Sequence, residues 1–247
     1  MSDKAIAGGT GNNAEGPAVE PLRLALPKGR ILDEAMVLFG RAGLDLSVVR
    51  SNSRRLVHEI PAAEGVAPLT VYVVRDVDVP TYVEYGAADL GVAGRDVLEE
   101  QGRDLYEPLD LGIGRCRLAV AEPIDRPVDE AGQLHLRVAT RFPRLTRRHL
   151  EQKGMVADII KLYGSVELGP LTGLADRVVD LVSTGETLRQ HRLREVETLL
   201  EVTARLVVNR AALKLKRRAI DALVERLRAA VVRQAPSASP GSPGRVV

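Results

Sequence analysis

From about Leu22 to Arg233 the chain alternates short β-rich apolar runs with segments whose apolar residues recur every three or four positions. That alternation is the pattern of strands interleaved with helices. Residues 22–26 read as a strand, Pro27-Lys-Gly-Arg30 as a turn, and the next segment as a helix with Ile31, Ala35, Leu38, Phe39 and Ala42 on one face. Residues 69–74 form a second strand, 79–85 a short helix, 88–93 a third strand, and 96–101 the start of another helix. A second set comes next, with strands at 117–121 and 136–139, a helix at 145–153, and strands at 159–162 and 178–182. Residues 199–209 read as a strand, and 214–232 as a helix that buries Ile220, Leu223, Val224, Leu227 and Val231. The pattern predicts an α/β sheet protein and leaves the sheet order open.

The most informative stretch runs from Leu174 to Leu188. Val178, Val179, Leu181 and Val182 make an apolar strand broken only by Asp180. Ser183, Thr184, Gly185 and Thr187 then bring hydroxyls and a permissive backbone to the opening of a helix, where free N–H groups favour an anion. A carboxylate beside such a cradle suggests a sugar phosphate, with Asp180 accepting from ribose hydroxyls. The alternative is a plain strand-turn-helix junction in which Ser183 or Thr184 only caps the helix. Basic residues also fall in turns: Lys28 and Arg30 after the first strand, Arg54 and Arg55 after the loop Ser51-Asn-Ser53, and Arg75 at a strand end. Guanidinium forks suit phosphate oxygens, although each alone also reads as a solvated charge. An internal echo suggests two lobes. Gly86-Ala-Ala-Asp89 precedes one strand and the helix opening Gly94-Arg-Asp, and Gly173-Leu-Ala-Asp176 precedes Val178 and the opening Ser183-Thr-Gly-Glu. Two lobes presenting strand-to-helix turns to a shared cleft would explain it; an ordinary connection recurring by chance is the alternative.

Composition narrows the classes. The chain has 247 residues, 45% of them hydrophobic, enough for one large domain or two small ones. Lys plus Arg is 35 against 33 for Asp plus Glu, and this formal +2 argues against a nucleic-acid partner, so any anion site is local. One cysteine, Cys116, excludes an internal disulfide and reads as buried filler; His58, His135, His149 and His191 lack zinc-site spacing. The N-terminus has no signal-peptide pattern and no apolar run spans a membrane, so the expectation is a cytoplasmic protein. Residues 1–21 and 234–247 have tail-like composition and are expected to be disordered.

Six motifs occur in one order: Leu26-Pro-Lys-Gly-Arg30, the run from Arg75 through Gly86, Ala88-Asp-Leu-Gly-Val-Ala-Gly94, Leu162-Tyr-Gly-Ser-Val-Glu-Leu-Gly-Pro170, Asp180-Leu-Val-Ser-Thr-Gly-Glu-Thr187 and Val202-Thr-Ala-Arg-Leu-Val-Val-Asn209. Together they resemble the ATP phosphoribosyltransferases, which open histidine biosynthesis. The resemblance implies a two-lobed α/β fold similar to type II periplasmic binding proteins, with the ligand cleft between lobes. Lobe I would be 22–110 plus 198–233, and lobe II 111–197. The implied reaction joins N1 of ATP's adenine to C1 of 5-phosphoribosyl 1-pyrophosphate and releases pyrophosphate. By the resemblance, Ser183, Thr184, Gly185, Glu186 and Thr187 hold the 5-phosphate and Asp180 the ribose hydroxyls. Arg30 and Arg54 neutralise the departing pyrophosphate, supported by Lys28, Gly29 and Arg75. Asp89, Gly94 and Glu167 line the opposite wall. Mg2+ is expected on the substrate phosphates, with no protein metal site.

Only a Pro/Ser/Gly-rich stretch comes after the last helix, so the chain resembles the family's short form. That form implies a regulatory subunit similar to histidyl-tRNA synthetase in a hetero-octamer, with a homodimer of the catalytic chain. Two other readings share the fold: a solute-binding or effector-binding module, which would want an export signal or a helix-turn-helix, and an inactive regulatory subunit, which the intact Ser-Thr-Gly-Glu-Thr loop disfavours.

Overall fold

The computed structural model describes residues 20–49, 54–129 and 135–234. The loop 51–53 and most of both expected tails lie outside them. The first part of the chain supplies β1 (Leu22–Pro27), α1 (Arg30–Arg41), β2 (Val57–Ile60), β3 (Leu69–Val74), α2 (Val79–Glu84), β4 (Leu90–Gly94), α3 (Arg95–Gln101) and β5 (Tyr106–Asp110). The middle adds β6 (Cys116–Pro123), β7 (Leu136–Thr140), α4 (Pro143–Gln152), β8 (Ala157–Lys161), α5 (Leu168–Leu171), β9 (Arg177–Val182), α6 (Glu186–Gln190) and β10 (Leu193–Val202). The chain closes with β11 (Ala204–Val208), α7 (Arg210–Leu215) and α8 (Arg217–Gln234).

These strands form two sheets, ordered β2-β3-β1-β4-β11-β5 and β10-β6-β9-β7-β8. In the first, β1 lies parallel to β3 and β4, and in the second, β7 lies parallel to β8 and β9; the remaining pairings are antiparallel. The parallel strands are apolar because helices cover them. Leu32, Ala35, Leu38 and Phe39 of α1 join Leu24 and Leu26 of β1 and Ile220, Leu223 and Leu227 of α8 in one core. Leu118, Val120, Val138, Leu145 and Val179 centre the core of the second sheet.

The chain passes between sheets twice, after β5 and after β10. The two crossings are hydrogen-bonded to each other: Leu111 N–H donates to the Ala204 carbonyl at 3.0 Å, and Ala204 N–H to the Ile113 carbonyl at 2.9 Å. Here the structure departs from the expected strand at 199–209. That run is two strands in different sheets, parted at Thr203, so the expected lobe boundary between 197 and 198 falls inside β10. Both sheets bury the same residue types, so apolarity alone does not mark where a chain changes sheets. The expected helix at 214–232 is likewise two helices, broken at Lys216 (φ −117°, ψ 25°), whose ammonium pairs with Glu20 and Asp89. Edge strand β5 carries Pro108, tolerated where one side of the strand is free of ladder bonds.

Candidate functional site

The site is assembled from the segments just beyond the C-terminal ends of the parallel strands, where ligands gather in α/β sheets. β1 delivers Lys28, Gly29 and Arg30; β3 delivers Arg75; β4 delivers Gly94 and Asp96; β7 delivers Arg141; β8 leads to Tyr163; and β9 carries Asp180 and delivers Ser183 to Thr187. Arg54 joins them from the other direction. β2 is antiparallel to β3 with Val57 opposite Tyr72, so the residues before β2 stand at the exit end of β3. Among the described residues the side chains of Lys28, Arg54 and Arg75 make no ion pair or hydrogen bond, which leaves three cations for a ligand.

Two turns depend on glycine. Gly29, before α1, has φ +85°, and Gly185, before α6, has φ +78°. Side-chained residues rarely adopt these left-handed angles. A Cβ at Gly29 would meet nothing within 4 Å, so its backbone angle, not crowding, calls for glycine. The two turns face each other. The Arg30 guanidinium at the start of α1 donates to Ser183 Oγ at 3.4 Å and to the Arg115 and Gly114 carbonyls at 3.3 and 3.5 Å. These bonds are long and weak, so the guanidinium sits between both lobes without being held tightly by either. Glu34 steadies the arrangement by accepting from Gly114 N–H at 2.7 Å and lying 3.8 Å from Arg30. The capping alternative for the loop has only a 3.4 Å bond from Glu186 N–H to Thr184 Oγ1 behind it. Ser183, Thr184 and Thr187 are exposed, whereas Glu186 is engaged by Arg189 and, at 3.2 Å, by Gln190.

Two cavities lie against β9. The first, of about 240 Å³, is walled by Glu167, Asp180 and Ser183 to Thr187. The second, of about 470 Å³, lies between the lobes, with Arg75, Asp76, Asp96 and Glu100 on one side and Arg141, Phe142, Lys161 and Tyr163 on the other. Leu181 lines both. Lys161 Nζ stands 5.3 Å from the centre of the Tyr163 ring, so a cation and an aromatic face share one rim. The pair of cavities can take two ligands side by side, one gripped by hydroxyls and backbone and the other by apolar walls and cations.

Two carboxylates in this cleft are poised away from their ordinary ionisation. Burial pushes the Asp180 carboxyl up, opposed by the Leu181 N–H and by Arg141, and Glu167 pushes the same way as burial. Burial likewise raises Asp96. Burial also raises the Cys116 thiol, beside Arg30 and Asp96, and holds it in the unreactive form. No group of three or more His, Cys, Asp or Glu side chains able to hold a metal occurs among the described residues. Glu167 has only a 3.9 Å contact with His191, so its oxygens remain available to a cation carried by a ligand.

Asp89 is a correction. It lies before β4, at the end of the sheet away from the cleft, and is 1% exposed. Burial works to raise its pKa, but bonds from Arg23 and Lys216 hold it down. Asp89 Oδ2 accepts Arg23 N–H at 2.8 Å, and Oδ1 accepts the Arg23 guanidinium at 2.9 Å. The second half of the echo does the same. Asp176 accepts Arg137 N–H and its guanidinium, both at 2.9 Å. The repeated motif is a clasp that ties a strand's start to its parallel neighbour, not a device of the cleft. Sequence reasoning missed Asp96, Arg141, Tyr163 and Glu100. The position of each just past a strand end, or one helix turn beyond, was the available signal.

A family model described as ATP phosphoribosyltransferase matches residues 75–229. An ATP phosphoribosyltransferase of Geobacter metallireducens is 51% identical over 208 residues, covering 83% of this chain and 96% of the relative. Among solved structures, a chain of the ATP phosphoribosyl transferase (HisG:HisZ) complex from Thermotoga maritima superposes with a TM-score of 0.71 at 32% identity, over 86% of this chain and 99% of that one. The periplasmic aliphatic sulphonate binding protein SsuA from Escherichia coli shares the fold at a TM-score of 0.54 and 14% identity, over 86% of this chain and 73% of its own.

Proposed function

This chain belongs to the ATP phosphoribosyltransferase family, the enzymes of the first step of histidine biosynthesis, and from that premise we propose how its cleft divides the reaction. The first cavity takes 5-phosphoribosyl 1-pyrophosphate, with its 5-phosphate on Ser183 to Thr187 and its ribose hydroxyls on Asp180. The interlobe cavity takes ATP, with the base between Phe142, Leu162 and Tyr163 and the phosphates toward the cations. N1 of adenine is already a nucleophile, so the chain's task is to align N1 with C1 and to stabilise the pyrophosphate as it leaves. Arg30 is the residue for the second task. The observation that carries this reading is its guanidinium reaching Ser183 Oγ from the opposite lobe at 3.4 Å. Bonds that loose can be exchanged for phosphate oxygens. Arg54, Arg75 and Lys28 add positive charge at the same strand ends. Magnesium arriving on the pyrophosphate would draw off leaving-group charge, with Glu167 able to help hold it.

A short-form chain working with a separate histidyl-tRNA-synthetase-like subunit, in the cytoplasm, completes the proposal. Its support is that the match spans 96% of the Geobacter relative and 99% of a Thermotoga chain from a HisG:HisZ complex. The test mixes the chain with Mg2+, ATP and 5-phosphoribosyl 1-pyrophosphate, with and without that subunit, and monitors the N1-ribosylated nucleotide by near-ultraviolet absorbance and mass. Product is expected; none in either condition overturns the proposal. Arg30→Ala is expected to lower kcat by about 10²- to 10³-fold with an unchanged thermal midpoint. Thr187→Val should raise KM for 5-phosphoribosyl 1-pyrophosphate. Unchanged turnover in both variants would sink the site assignment.

A further inference from the structure

Arg30 occupies a place that its helix does not favour. It is the first residue of α1, at the positive end of the helix dipole, where a cation is disfavoured, and no side chain caps that end. An acid four positions after a base is also the weaker order for a helical pair, so Glu34 adds little to α1 itself. What Glu34 reaches is the chain's first crossing between the lobes. Its Oε2 accepts the Gly114 N–H at 2.7 Å, and its Oε1 lies 3.8 Å from the Arg30 guanidinium. Gly114 has φ +66°, and a Cβ built on it would stand 3.1 Å from Ile31 Cγ1, so the crossing is pressed against the first turn of α1. The Gly114 and Arg115 carbonyls of that crossing are the ones that accept from Arg30, at 3.5 and 3.3 Å. Gly114 therefore meets α1 with both of its backbone groups, its N–H at Glu34 and its carbonyl at Arg30.

We propose that Glu34 is the positioning residue for Arg30: by anchoring the Gly114 N–H it fixes the two carbonyls that hold the guanidinium beside Ser183. The inference rests on the assignment of Arg30 to the departing pyrophosphate. A short ion pair would have to be broken before a phosphate oxygen could bind. Bonds to carbonyls at 3.3 Å and beyond orient the guanidinium and remain exchangeable. Glu34, at 3.8 Å, adds attraction without a hydrogen bond that the phosphate would need to displace. As the C1–O bond breaks and its electron pair leaves with the pyrophosphate, the positive charge that meets it is already in place, and little reorganisation is needed. Glu34 lines neither cavity, so its effect on the reaction passes through Arg30.

The experiment uses the full chain with its regulatory subunit and measures the single-turnover rate, per folded molecule, in a double-mutant cycle. Glu34→Ala is expected to slow that rate by about 10- to 100-fold, the effect of misplacing a group that must meet the transition state. In the Arg30→Ala background the same substitution should change the rate by less than about threefold, because no guanidinium is left to place. Glu34→Gln keeps a carbonyl oxygen for the Gly114 N–H and should hold the rate within about threefold of wild type. A merely structural role would slow both backgrounds alike, and that result, or an unchanged rate in Glu34→Ala, overturns the proposal. A second arm titrates the full chain with magnesium pyrophosphate, without turnover. There Glu34→Ala should weaken binding by about tenfold when Arg30 is present and leave it unchanged in the Arg30→Ala background. Equal weakening in both backgrounds overturns the proposal. A chain that makes no product but still shows this pyrophosphate cycle separates failure of the transferase reading from failure of this one.

Discussion

Four aspartates mark the two ends of the same sheets, and their surroundings are opposite. Asp89 and Asp176 stand where β4 and β9 begin, each clasped by an arginine of the neighbouring parallel strand. Asp180 and Asp96 stand within or just past those same strands, in the cleft, with no basic partner in ion-pair contact among the described residues. Burial acts on all four. At the entry end, arginine and lysine bonds outweigh it and hold the carboxyls below their ordinary range; at the exit end it prevails. The fold has satisfied its carboxylates where it needs strength and left them hungry where a ligand arrives.

The largest effect should come from breaking the clasp. Asp89→Ala leaves the Arg23 guanidinium without its counter-ion and Lys216 with Glu20 alone, at a cost of about 3 kcal/mol, the low end for a buried pair because Arg23 is 37% exposed and Glu20 stays on Lys216. Asp176→Ala should cost less, about 1 kcal/mol, since its arginine is 38% exposed and no lysine joins it. Urea unfolding measures both, and turnover per folded molecule should stay at the wild-type value. Loss of turnover in folded Asp89→Ala would return that residue to the cleft and end the contrast.

Sequence and structure parted most instructively over this clasp. The Gly-x-Ala-Asp echo was legible, and so was the two-lobed α/β fold it suggested. Its location was misjudged because spacing reports recurrence and not direction, although a residue preceding a parallel strand must sit at the end away from the ligand. Arg30 and the Ser183 to Thr187 loop were both legible as turn chemistry. Their meeting across 153 positions was not, since sequence holds no distance between lobes. Asp96 carried only the signal of its place just past a strand end, because an acidic residue in a helix's first turn is otherwise ordinary. Only the fold shows that it lies in a cavity wall.

The next effect concerns pH. Asp89 and Asp176 have lowered folded pKa values, so their stabilisation is present above the ordinary carboxylate value of about 3.9 and is lost as pH falls through the folded values. Asp96 and Asp180 have raised ones, so their contribution is fully present below that value and is lost as pH rises through the folded values. At pH 7 the cleft carboxylates therefore destabilise the fold. Asp180→Asn should raise the thermal midpoint by about 2 °C at pH 7, with the gain vanishing on acidification, while turnover falls. A lowered midpoint at pH 7 would show that Asp180 holds the fold as Asp89 does.

The smallest effect tests whether the cleft has any clasp of its own. α4 begins at Pro143 behind Phe142, which offers no side-chain cap, and its first N–H groups are satisfied from the other lobe. Glu100 of α3 accepts from the backbone N–H of Arg144 and of Leu145, both at 2.9 Å, and neighbouring Glu99 takes the Arg148 guanidinium at 2.7 Å. This is a helix cap lent across the cleft, and it forms only while the lobes are together. Glu100→Ala should cost about 0.5 kcal/mol, the low end for loss of a cap, because water can reach the freed N–H of the exposed Arg144 once the carboxylate is gone. If urea unfolding instead gave a loss as large as that of Asp89→Ala, the lobes would be held shut as firmly as the sheets are, and a cleft that must admit two substrates would need another way to open.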